Sequence, residues 1–170
     1  MADLTRGAAL FLVVFAFLFV GYSRMLPSGA DEMLYFSVTQ SIAKWQTVTI
    51  DQVSTVGPGP EEYGIGGHRY SKKAPLPSLL ALPLFWLAQG LPVGAVDTVL
   101  LLNHLVTAVV AALFFLLVRR LGYSTRIALA LAGLVVVATP LWVYAKGLLA
   151  EPTITLCVVA TVFAALTAAQ

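Results

Sequence analysis

Residues 98–122 read TVLLLNHLVTAVVAALFFLLVRRLG. From Thr98 to Val118 the stretch holds no Asp, Glu, Lys or Arg, and Arg119-Arg120 close it. At about 1.5 Å of rise per helical residue it is long enough to cross the roughly 30 Å of a bilayer's hydrocarbon core. The whole chain agrees: 59% of its 170 residues are hydrophobic and only 11% are charged, against about 25% charged in a soluble domain. So few charges cannot cover a surface that faces water. The expected fold class is therefore an all-α integral membrane protein, a single membrane domain with the lipid bilayer as its principal partner. A net charge of +2 without basic runs points away from nucleic acid. The one cysteine, Cys157, sits in an apolar run and reads as packing.

Working outward from this segment, apolar runs predict further crossings at about 5–23, 126–143 and 151–169, beside the one at 96–118. A cleavable signal peptide is the alternative for the first run, since Ser28-Gly29-Ala30 offers small residues. Arg24 and Pro27, lying between the run and that site, favour an uncleaved anchor. The polar stretch 24–74 carries more than half of the charged residues. The apolar run after it, 75–91, is interrupted by Pro77 and Pro83 and is expected to lie on the membrane surface.

Sidedness follows from the short loop with Arg119, Arg120 and Arg126, which favours the cytoplasm. That places the N-terminus inside and the 24–74 loop outside or in the periplasm, provided 75–91 does not cross. The inner side then carries +3 (Arg6, Arg119, Arg120 and Arg126 against Asp3) and the outer side −1. Tyr22, Trp86, Trp142 and Tyr144 fall near the outer interface, where aromatic rings prefer to sit.

Three groups on the outer side could carry chemistry. Asp31 and Glu32 follow Ser28 at capping-box spacing, so a helix is expected to start there. Its stripe of Leu34, Val38, Ile42 and Trp45 is expected to lie on the membrane. Both carboxylates have a plain structural reading as residues favoured at a helix N-terminus. Glu151 stands in a short, otherwise apolar turn, with Lys146 as a possible partner and Pro152 as a helix starter. His68, Arg69, Tyr70, Lys72 and Lys73 precede the surface helix and suit a lipid-linked phosphate, or simply anchor that helix. Asn103 and His104 are polar within a span; packing is the simpler reading for His104, while a transporter would need such residues.

In this order the features resemble the N-terminal part of the C superfamily of membrane glycosyltransferases (GT-C), relatives of protein mannosyltransferases and aminoarabinose transferases. The resemblance rests on Asp31-Glu32 with Tyr35, on Thr39-Gln40-Ser41-Ile42, and on Tyr70-Ser71-Lys72-Lys73-Ala74-Pro75-Leu76. It extends to Leu117-Val118-Arg119-Arg120-Leu121-Gly122 and to Tyr144-Ala145-Lys146 through Glu151-Pro152. Lys73-Ala74-Pro75 departs from the family's paired prolines. The resemblance implies a cell-envelope enzyme that transfers a sugar from a polyprenyl-phosphate donor, with inversion, to an acceptor on the outer face. Asp31 would be the base, with Glu32 and Glu151 as further acidic groups that position the acceptor or share a divalent cation. Arg69, Lys72 and Lys73 would meet the donor phosphate, and Tyr35, His68, Tyr70 and Lys146 would support them. It also implies more crossings than four, so the chain is expected to be part of a larger fold, inactive alone, or a short paralogue needing a partner membrane subunit. A non-catalytic subunit or a lipid-handling protein is the alternative. On the catalytic reading, Asp31, Glu151 and the 69–73 segment are expected around one external cavity.

Overall fold

The computed structural model describes residues 2–21, 29–53 and 61–169. Seven helices lie among them: α1 (Ala2–Val20), α2 (Ala30–Trp45), α3 (Leu76–Ala88), α4 (Ala95–Arg120), α5 (Thr125–Val137), α6 (Leu141–Tyr144) and α7 (Glu151–Ala168). Two short strands, β1 (Glu61–Tyr63) and β2 (Arg69–Ser71), form an antiparallel hairpin. The chain divides into two compact units. One comprises Met1–Tyr22, Asn103–Lys146 and Glu151–Gln170; the other comprises Ser23–Leu102 and Gly147–Ala150.

Helices α1, α4 and α7 are long and apolar enough to cross a membrane, and α1, α7 and the part of α4 from Asn103 onward belong to the first unit. Most of the α4 span is buried, whereas α1 and α7 leave nearly all of theirs open. Leu12, Val13, Phe17 and Val20 are thus exposed on α1, which hydrocarbon tolerates and water does not. The core is aliphatic and small: Val14 and Leu18 of α1 meet Ala108 and Ala111 of α4, Val136 of α5 and Ala145. Phe115 and Val118 fit against Ala128 and Ala132, and Val110 and Leu117 against Leu141 and Val159.

The fourth apolar run is not one helix. α5 ends at Val137, and α6 starts after Pro140. Proline has no N–H to continue the ladder and its ring crowds the preceding turn. Thr139 Oγ1 donates to the Val135 carbonyl and accepts from the Leu141 N–H, which closes the gap locally. At 13 residues α5 alone reaches only about 20 Å. The two pieces together nevertheless accompany α1 along its length. Arg6 meets Thr125 at one end, while Phe17 and Gly21 meet Trp142 at the other.

In the second unit α2 packs on α3. Thr39 Oγ1 lies 2.9 Å from the Tyr35 carbonyl and 3.1 Å from that of Ser78, and the Ser78 hydroxyl donates to the Tyr35 carbonyl at 2.9 Å. Phe36 and Phe85 meet beside them. The α2 stripe points inward: Leu34, Val38 and Ile42 cluster with Ile50, so the expected membrane-surface placement of that stripe is replaced by a local core, with Trp45 exposed. The reason is the chain after α2, which turns back at Gln46 (φ 55°) and brings Ile50 over the stripe. α3 is too short to span at 13 residues and buries Pro77, Ser78, Ala81, Phe85 and Ala88. Its opposite face leaves Leu76, Leu79, Leu80, Trp86 and Leu87 exposed.

Candidate functional site

α2 begins after Gly29, whose backbone is extended and which has no side chain to cap the helix. The expected cap, Ser28, lies outside the described residues, as do Tyr22 and Arg24. Asp31 and Glu32 occupy the first turn of α2, where unpaired N–H groups favour negative charge. Their side chains part company. Asp31 Oδ2 takes Lys73 Nζ at 2.6 Å across 42 residues of sequence, with both side chains partly exposed. Lys73 is set in place just after β2, where its N–H donates to Ser71 Oγ at 3.1 Å. Glu32 lies on the backbone of Gly147, so close that a Cβ there would overlap its Oε1. Glycine is needed at 147 for that approach.

Arg69 is not with Asp31. Its fork donates to the carbonyls of Ile50 (3.2 Å) and Asp51 (3.0 Å), and its Nε stands 3.8 Å from the Asp51 carboxylate. Asp51 also accepts the Arg69 N–H and His68 Nδ1, each at 2.8 Å. The Arg69 N–H holds the Asp51 carboxyl below its ordinary range; partial desolvation opposes this, and His68 adds to it. Six residues after α2 ends at Trp45, the chain is thus latched to the hairpin, with a bridge from Thr49 to Tyr70 beside the latch.

The hairpin makes a second feature. Tyr63, Gly64, Ile65, Tyr70, Ser71 and the exposed Lys72 line an open cleft of about 350 Å³. A Cβ on Gly64 would stand 2.7 Å from the Tyr70 ring, so glycine lets that ring lie against the backbone. Gly66 and Gly67 take positive φ, 75° each, in the turn. Tyr35, expected as a supporting residue, is buried and acts through its carbonyl at the α2–α3 contact.

The remaining expected residues belong to the other unit. Glu151 is exposed in the first turn of α7, and Lys146 Nζ rides 4.2 Å above the Trp142 ring. Asn103 and His104 are fully buried there, and Asn103 Nδ2 donates to the Tyr144 carbonyl at 3.2 Å. That carbonyl ends α6, so the asparagine satisfies a helix terminus inside an apolar bundle. Among the described residues no three His, Cys, Asp or Glu side chains gather as a metal ion would require.

Sequence reasoning missed Asp51 and the hairpin. The Gly-rich 64–67 segment between polar pairs was the available signal for a turn. Comparison with protein-family models, with curated proteins and with solved structures gives no match.

Proposed function

We propose that this chain is a four-crossing membrane protein whose second unit, exposed on the outer face, binds a polyprenyl-phosphate-linked sugar for transfer to an acceptor hydroxyl. The observation that carries the reading is the contact of Asp31 with Lys73 at 2.6 Å. It pairs a base with a cation next to an apolar-faced helix, α3, that suits a lipid surface. Lys73 and Lys72 meet the donor phosphate, and the Asp51 latch holds the hairpin that precedes them. The donor phosphate, by drawing Lys73 to itself, leaves the Asp31 carboxylate open to the acceptor hydroxyl. The acceptor oxygen then bonds to the anomeric carbon from the opposite face, its proton passes to Asp31, and the sugar–phosphate C–O bond breaks. The electron pair leaves with the phosphate, stabilised by the two lysines.

The topology has its own support. Arg6, Arg119 and Thr125 share one end of the helical unit, and the broken 125–144 segment keeps company with α1 from end to end. Four crossings with that end in the cytoplasm follow from the positive-inside bias. With this topology, membrane-impermeant maleimide applied from outside labels both Ser71→Cys and Val93→Cys. Labelling of only one would make α3 a crossing and reverse the sidedness of everything after it.

Function is tested on the full chain in proteoliposomes with a photoreactive polyprenyl phosphate and with its sugar-linked form. Lys73→Gln is expected to cut photolabelling at least about tenfold, whereas Asp31→Asn keeps labelling and abolishes any transfer measured. Undiminished labelling of Lys73→Gln would end the donor reading.

A further inference from the structure

The tip of the β1–β2 hairpin is apolar where a turn in water is ordinarily polar. Ile65 is 91% exposed and Tyr63 is 77% exposed. Among the described residues no large hydrophobic side chain is more open than Ile65, and Val20, on a helix apolar enough to cross a membrane, reaches only 84%. Single exposed apolar residues are common on protein surfaces, but this one is also held in a fixed shape. The Gly64 N–H donates to the His68 carbonyl at 2.9 Å, and the Gly67 N–H to the Gly64 carbonyl at 3.2 Å. Gly66 and Gly67 take a positive φ that other residues rarely adopt. At the base of the hairpin, Asp51 holds His68 and the Arg69 N–H. The tip is therefore formed in advance, and docking it costs little ordering.

A stable protein interface takes about 800 Å² from each partner, and two large apolar side chains on a turn fall well short of that. A bilayer asks for less. An aliphatic side chain enters the acyl boundary, and a tyrosine ring sits at headgroup level with its hydroxyl in water. The bilayer is also at hand, because α4 is long and apolar enough to cross it and residues 95–102 of α4 belong to the same unit as the hairpin. We propose that the hairpin tip inserts into the interface of the bilayer, with Ile65 at the acyl boundary and Tyr63 among the headgroups. Charges of both signs flank the tip in sequence, Glu61 and Glu62 before it and Arg69 and Lys72 after it, so zwitterionic lipid suffices. The proposal requires neither sugar transfer nor a particular side of the membrane.

The test is depth-dependent fluorescence quenching on the full chain in phosphatidylcholine nanodiscs. An environment-sensitive dye is attached to Ile65→Cys in a Cys157→Ala background. Lipid with a nitroxide high on its acyl chain should quench the dye at least about twofold more than lipid with the nitroxide near the chain end, as a shallow insertion requires. Aqueous iodide should quench it little. The dye is itself apolar, so a second arm moves it to Tyr63→Cys and compares Ile65 with Ile65→Asp. The substitution should cut the shallow quenching about fivefold. Because Ile65 is so exposed, the change leaves the hairpin's own hydrogen bonds in place. Strong iodide quenching without nitroxide quenching would put the tip in water and overturn the proposal. Shielding from iodide and nitroxide alike would give the tip a protein partner instead, which also refutes it. Unchanged quenching in Ile65→Asp would show that the dye, not the tip, seeks the lipid.

Discussion

The two units are held together in different ways. Around α4, apolar side chains meet alanines, and the ion pairs sit at one end, on Asp3. Around α2, by contrast, apolar contacts such as Phe36 with Phe85 are joined by specific polar links: Asp31 with Lys73, Asp51 with His68 and Arg69, Thr39 with Ser78. The contrast follows from the solvent. In hydrocarbon, burying an aliphatic chain gains little over leaving it in lipid, so close fit of small residues does the work. On the proposed topology the second unit faces water, and there polar locks such as Asp31–Lys73 and Asp51–Arg69 are added to apolar contacts like those of Leu34, Val38 and Ile42 with Ile50.

The largest effect expected from this contrast is at Leu34. Leu34→Ala should destabilise its unit by about 2–5 kcal/mol, since the transfer and cavity terms both count there. Leu117→Ala, at a position also buried in the other unit, should cost about half as much, because its transfer term nearly vanishes in lipid. Matched losses in steric-trapping or denaturant measurements would erase the distinction. A smaller effect belongs to the polar exception inside the helical unit. Asn103→Leu leaves the Tyr144 carbonyl buried without its donor and should cost about 1–3 kcal/mol. A neutral result would mean that the break at Pro140 satisfies itself.

The smallest effect is the acid response of the Asp51 latch. Its carboxyl titrates below the ordinary value of 3.8, so the stability it gives is complete above that value and is lost as pH falls through the lower folded one. Hydrogen exchange in residues 61–71 should therefore hold steady down to about pH 4 and rise below it. Asp51→Asn should remove that step; a step persisting in the variant would assign it to another group.

What could be read from the sequence depended on the length of the signal. α1, α4 and α7 were legible because long uncharged runs admit one interpretation in a bilayer. The break at Pro140 was not, since hydropathy averages across a single residue and the run 126–143 stays apolar through it. The stripe Leu34, Val38, Ile42 correctly announced a helix face, yet periodicity cannot say what covers a face, and Ile50 covers it here. The site divided in the same way. Asp31 at the start of a helix and Lys73 at the end of the loop were legible as residue types in plausible places. Arg69 was expected with the phosphate ligands but serves Asp51, a lone aspartate that no local pattern marks. Three-residue strands are likewise too short for alternation to show.

The Pro140 break has a consequence for how the protein is made. Insertion into a membrane responds to the summed apolarity of a segment as it emerges, and on the proposed four-crossing topology the 125–144 segment offers an almost uninterrupted one. The kink therefore need not exist when the segment enters the lipid, and entry is indifferent to Asn103. The asparagine acts later, when helices already in place come together and the Tyr144 carbonyl finds its donor. Biogenesis and final shape are thereby governed by different residues of the same region. An error at position 103 would pass the insertion step and be detected only by whatever inspects assembled helices.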